Sequence, residues 1–167
     1  MATYVKIETV SVSASGGSVS ITFSSIPQTY TDLKIVLSGR TTGVSPTGQY
    51  ITFNGSTSNF TGKYLYSDGT TVSSGNLGRY AGTVIGGSGY TTNSFNNTEI
   101  YIPNYTSSNF KSFSVDNVAE NNAAYGGLNL LNGLWSNTAA ITSISLAPDN
   151  GNYSQYSTAT LYGIKSS

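Results

Sequence analysis

Along most of the chain apolar and polar residues alternate one by one. In YVKIETV (4–10), Val5 and Ile7 share a face against Tyr4, Lys6 and Glu8, and in SVSITF (18–23) Val19, Ile21 and Phe23 do the same. A period of two is the signature of a strand with one face buried. The alternation continues through DLKIVLS (32–38), QYITF (49–53), FTGKYLY (60–66), RYAGTVIG (79–86), TEIYI (98–102), FKSFSVDNV (110–118), ITSISLA (141–147) and TATLYGI (158–164), which predicts about ten strands.

Most of these runs are separated by short turn chemistry. Asn54-Gly55, Asp68-Gly69, Asn132-Gly133 and the run Pro148 to Gly151 supply residues that tolerate the positive φ of tight hairpins. Two stretches break the rhythm and read as long exposed loops, GRTTGVSPTGQ (39–49) and GGSGYTTNSFNNT (86–98). A third, NNAAYGGLNLLNGLWSNTAA (121–140), is denser in Leu and holds Trp135; period alone leaves open a short helical turn or an irregular strand over one end of the fold. Strand after turn without helical patterning predicts an all-β chain, one domain over residues 1–167. The expected architecture is an antiparallel two-sheet β-sandwich of jelly-roll type, because uneven loops suit two packed sheets better than an up-and-down barrel.

Composition narrows the chemistry. Ser, Thr, Asn and Gly make up about half of the 167 residues, but 13 Tyr and 6 Phe provide the bulk that disordered tracts lack. Seven basic and seven acidic residues give zero formal charge at 8% charged content. The basic residues stand singly, so no nucleic-acid or anionic-lipid surface is expected. No run approaches the length of a membrane span or of a secretory leader, which points to synthesis in a cytoplasm and no membrane partner. Asn-x-Ser/Thr sequons at Asn54, Asn59, Asn96, Asn104 and Asn152 follow from composition.

Histidine and cysteine are both absent, which removes the common general base, thiolate nucleophiles and the usual transition-metal ligands. Carboxylate chemistry remains, with seven acids to supply it. Asp32, Asp68 and Asp149 sit in turn sequences, and Glu8 and Glu99 on polar strand faces. Asp116 and Glu120, in VDNVAENN, could serve a Ca²⁺ ion or a catalytic pair, but no DxDxDG loop accompanies them and they read as a self-capped surface loop. GTVIGGSGY (82–90) lacks the Gly-Lys-Ser/Thr ending of a phosphate loop and reads as a flexible loop. The expectation is a non-enzyme without metal or cofactor. An alternative is a glycan platform of Tyr101, Tyr105, Tyr125 and Trp135 beside Asn104 and Asn121.

Five runs, SIPQTYTDLKIVLSGR (25–40), KYLYSDGTTVSSG (63–75), EIYIPNYTSSNFKSFSVDNVAEN (99–121), GLWSNTAAITSISLAP (133–148) and QYSTATLYGIK (155–165), resemble small virion proteins of tailed bacteriophages. The resemblance implies a jelly-roll capsid decoration, or cement, protein: a homotrimer on the capsid exterior whose partner is the major capsid protein. Related modules are tail-fibre tips that bind host glycans. With strands expected from Thr3 to Ile164, no fibre shaft is expected, a pattern that fits a decoration subunit or a separate accessory fibre tip. With so few charges, any subunit or shell contact is expected to be aromatic and aliphatic, with Trp135, Tyr162, Leu161 and Phe113 placed near the core or at that contact.

Overall fold

The computed structural model describes residues 3–44, 46–122 and 126–165, and among them there is no helix. Eleven strands form: β1 (Thr3–Ser11), β2 (Ile21–Phe23), β3 (Asp32–Gly39), β4 (Gln49–Phe53), β5 (Phe60–Ser67), β6 (Val72–Leu77), β7 (Asn96–Ile102), β8 (Lys111–Glu120), β9 (Gly126–Trp135), β10 (Ile144–Pro148) and β11 (Thr158–Lys165). They make an eight-stranded sheet in the order β1-β11-β3-β7-β8-β9-β5-β6 and a three-stranded sheet in the order β2-β10-β4. All the pairings are antiparallel.

The two sheets share one core. Ile21 and Phe23 of β2, Ile51 and Phe53 of β4, and Ile144 and Leu146 of β10 pack with Leu33, Ile35 and Leu37 of β3, Ile100 and Ile102 of β7, and Leu161 of β11. Strand periodicity aims these side chains: in β8 every second residue is buried, so Phe113 and Val115 point inward while Ser112, Ser114 and Asp116 point out. At one end Phe53 carries the contact between sheets, with its ring 5.6 Å from Phe60, 5.6 Å from Phe113 and 5.5 Å from Trp135. The Phe113 ring lies over Gly133, where a Cβ would come within 2.0 Å of it. Asn132-Gly133 is therefore the interior of β9, with glycine making room for a ring, and not the turn its composition predicts.

Chain order and pairing order are nested. β1 pairs with β11, β2 lies beside β10, and β3 pairs with β7. The innermost partner of β4 is the segment 79–86, joined through bridges at Tyr50–Tyr80 and Thr47–Ile85. Two hairpins interrupt this nest: β5-β6 between β4 and residue 79, and β8-β9 between β7 and β10. They meet along β5 and β9 and widen the large sheet by four strands.

RYAGTVIG is thus placed as a strand would be, but its ladder is broken. Gln49 N–H donates to the Gly82 carbonyl (3.0 Å) and Ile85 N–H to the Thr47 carbonyl, leaving an extra residue on the 82–85 side and a positive φ of 132° at Gly82. Side-chain amides replace the missing rungs. Asn117 Oδ1 accepts from Val84 N–H (3.2 Å), and its Nδ2 donates to the Val84 carbonyl (3.0 Å) and to Thr98 Oγ1 (2.9 Å). Gln49 Nε2 donates to the Ala81 carbonyl (2.7 Å), and Tyr153 O–H donates to Gln49 Oε1 (2.7 Å). Asn96 Oδ1 likewise accepts from Gly86 N–H, so the first part of the run read from sequence as a flexible loop is fixed, and of Gly82 to Gly87 all but Thr83 are buried. Replacing Asn117 with Leu strands two buried backbone groups of Val84, and a loss of about 2 kcal/mol in denaturant unfolding is expected.

Candidate functional site

The outer face of the large sheet divides into two chemically different halves. Over β1, β11, β3 and β7 it presents Tyr4, Lys6, Lys34, Glu99, Tyr101 and Tyr162, with an ion pair of 2.7 Å between Lys34 and Glu99. Over the four added strands it carries an aliphatic patch set among polar residues that include Lys63, Asp116 and Glu120. Val118 of β8 stands opposite Leu128 of β9, and Leu130 of β9 opposite Leu65 of β5, with Val72 of β6 beyond Ser67. All five are exposed: Val72 by 68%, Leu128 by 55%, Leu130 by 53%, Leu65 by 49% and Val118 by 37%.

β9 is the reason. Its inward positions hold Gly127, Asn129, Leu131, Gly133 and Trp135, while its outward positions hold Leu128, Leu130, Asn132 and Leu134. The apolar residues are divided between the faces, Leu131 and Trp135 going inward beside two glycines and an asparagine while three leucines go outward. Contiguous exposed aliphatics on a sheet make this patch a candidate interaction surface. Asp116, register partner of Leu130, and Lys63 border the patch.

The edges differ as well. β1 carries a bulge between Lys6 and Glu8 and both charges, devices that discourage further strand pairing. β6, the opposite edge, reads VSSGNL, with neither charge nor proline.

Of the residues expected near the core or at a subunit or shell contact, Trp135, Phe113 and Leu161 take the core alternative, exposed by 2% or less, and present no area to a partner. Tyr162 alone of the four reaches the outer face, half-buried between Lys6 and Lys34 in register. The sequence could not separate the two positions because aromatic and aliphatic residues occupy both faces of this sheet.

The residues of the expected glycan platform do not form one surface. Tyr101 and Asn104 come together through Asp32, whose carboxylate accepts from Tyr101 O–H (2.8 Å) and from Asn104 N–H (2.9 Å). Tyr105 is wholly buried and donates its hydroxyl to the Pro27 carbonyl, and Trp135 lies in the core. Asn121 follows β8 at the end away from Ser114, the partner of Tyr101, roughly 20 Å along the strand direction. Tyr125 lies outside the described residues.

Asp116 and Glu120 occupy strand β8 and not a loop, on the outer face, and Glu120 accepts from Asn122 N–H (2.8 Å). Among the described residues no group of three or more acidic side chains converges on a common point. Asp68 caps the β5-β6 turn, accepting from the N–H groups of Thr70 (2.9 Å) and Thr71 (2.6 Å), which holds its carboxyl below the ordinary range.

Several phenols are held neutral. The hydrogen bond to Asp32 raises the pKa of Tyr101, burial raises those of Tyr105 and Tyr153, and the hydrogen bond with Tyr50 raises that of Tyr80. Folded pKa values above the unfolded value of about 10 mean that the unfolded chain loses its protons first, so stability is complete below pH 10 and falls as pH rises beyond it. Ultraviolet titration is expected to show the buried Tyr105 and Tyr153 ionising only with unfolding, at a pH above the ordinary phenol value.

No family model, curated protein or solved structure matches this chain.

Proposed function

We propose that this protein is a non-enzymatic structural component of a phage virion, a capsid decoration subunit that trimerises and binds the major capsid protein on the outside of the shell. The observation that carries the reading is the aliphatic outer face of β5, β6, β8 and β9. Leucines half-exposed along a ten-residue strand gain only part of their burial energy within the protomer, and they gain the rest when a broad partner surface covers them.

The same reading takes the fold as a jelly-roll sandwich. Its support is the nested pairing of β1 with β11, β2 with β10, β3 with β7 and β4 with 79–86, the order produced when one long antiparallel ribbon rolls up so that successive strand pairs alternate between two sheets. The added hairpins then have a distinct task. They extend one sheet past its partner and build the docking face without disturbing the roll.

Decoration of a shell also fits the low charge. Aliphatic and amide contacts depend little on salt, and three weakly binding faces on one trimer reach high avidity together. The test is binding of the purified protein to shells lacking decoration, by co-sedimentation followed by electron cryomicroscopy. Density on the capsid lattice is expected; density confined to the tail, or a monomer at micromolar concentration in analytical ultracentrifugation, would reject the proposal.

A further inference from the structure

The inner side of the β5-β6 hairpin projects beyond the cover of the small sheet and leaves an open cleft against the segment 79–86. The cleft has a volume of about 400 Å³, within the range of small-molecule sites, and its floor and walls include Tyr64, Tyr66, Tyr80, Ser73, Thr83 and Asp149. Strand parity puts Tyr64 and Tyr66 on the face opposite Leu65, so the cleft and the aliphatic surface lie on different sides of the same sheet.

Each of the three rings rests on a glycine. A Cβ on Gly75 would lie 2.8 Å from the Tyr64 ring, one on Gly48 would lie 2.6 Å from Tyr80, and one on Gly127 would lie 3.3 Å from Tyr66. Bare backbone beneath each ring lets it lie close and fixes its orientation before any ligand arrives. Tyr80 is held further by Tyr50, ring centroids 4.7 Å apart, and by its hydroxyl, which lies 3.2 Å from the Tyr50 hydroxyl and 3.5 Å from Asp149 Oδ2 with one proton to share between them. Asp149 is itself tied down through its N–H to the Gly48 carbonyl (3.0 Å).

Asp149 is the only charged side chain in the lining, and no lysine or arginine accompanies it. Fixed aromatic surfaces with hydroxyl groups and one carboxylate acceptor match a ring that has apolar C–H faces and hydroxyl donors on its rim. Arg79 lies outside the lining, stacked 4.0 Å over the far ring of Tyr50, so within the cleft itself the carboxylate stands without a cation and disfavours phosphates and acidic sugars. We propose that this cleft is a binding site for a neutral saccharide, open to solvent while the aliphatic face is docked.

The experiment is calorimetric titration, with saturation-transfer NMR in parallel, of the full chain with neutral trisaccharides of glucose, galactose and N-acetylglucosamine and with sialyllactose as the acidic counterpart. At least one neutral trisaccharide is expected to saturate the protein with a Kd below about 5 mM, and sialyllactose is not. Tyr64→Ala and Tyr80→Ala are expected to weaken binding at least about tenfold. Because those variants also remove packing, Ser73→Arg provides a separate probe: it fills the cleft from an exposed position and leaves the ring seats intact. Absence of saturation by every neutral sugar up to about 10 mM, binding that survives Ser73→Arg, or binding abolished by Tyr101→Ala instead, would each overturn the assignment.

Discussion

Phe53→Ala is expected to cost about 4 kcal/mol of unfolding free energy, read as a lower denaturant midpoint at unchanged m and a fall of about 10 °C in Tm. Phe53 is fully buried at the end of β4, and its ring touches three aromatics of the other sheet, Phe60, Phe113 and Trp135. Truncation removes the transfer energy of the ring and leaves a cavity between sheets that rigid strands cannot close. The edge-to-face contacts with Phe113 and Trp135, at 85° and 67°, contribute beyond area alone. Phe53→Leu, which keeps most of the volume, is expected to lose less than half as much. A loss under about 1 kcal/mol for the alanine variant would mean that the sheets are held together elsewhere.

The residues that make this core were legible in the sequence because their strands obey the simple alternation. β3, β4, β7 and β8 each bury every second side chain, as β11 does as far as Gly163, and most of their aliphatic residues fall on the buried set, Val36 and Val118 being the exceptions. Where the sequence misled, a side chain from elsewhere in the chain had changed the rule. RYAGTVIG has a strand's pattern and a strand's place, but the extra residue after Gly82 is stabilised by the amide of Asn117, more than thirty residues away, and no local reading reveals it. β6, VSSGNL, carries almost no apolar signal because it is an edge strand exposed at most of its positions.

β9 was ambiguous for a more informative reason. Period-based reading assumes that water lies on one side of a strand and the core on the other. In β9 the apolar set is split: Leu131 and Trp135 go inward, Leu128 and Leu130 outward, and the glycines that would mark turns instead receive the rings of Phe113 and Tyr66. A strand written for two apolar environments loses its period of two. The failure of the pattern and the aliphatic surface therefore have one cause, and the candidate docking face was present in the sequence as an irregularity without a direction. The cleft, by contrast, left no local trace, since it joins Tyr64 and Tyr66 to Tyr80 and Asp149 only through the fold.

If that surface meets the shell, the paired substitution Leu65→Glu with Leu130→Lys is expected to weaken single-site binding roughly a hundredfold, about 2.7 kcal/mol, and to abolish retention by washed particles. The two positions face each other across β5 and β9, so the new charges pair with one another, and Asp116 stands on the far side of position 130. Both leucines are about half exposed, and the folded protomer loses little by the exchange: unfolding free energy is expected to stay within about 0.5 kcal/mol. Bound to an aliphatic partner, the same pair would be stripped of water without any group of the partner to compensate it. Tyr4→Ser, on the polar half of the same face, serves as the control and is expected to bind as the unaltered protein does. Shells that take up the charged variant as readily as the original would remove the aliphatic face from the docking interface, and with it the reason offered for leucines on the outside of β9.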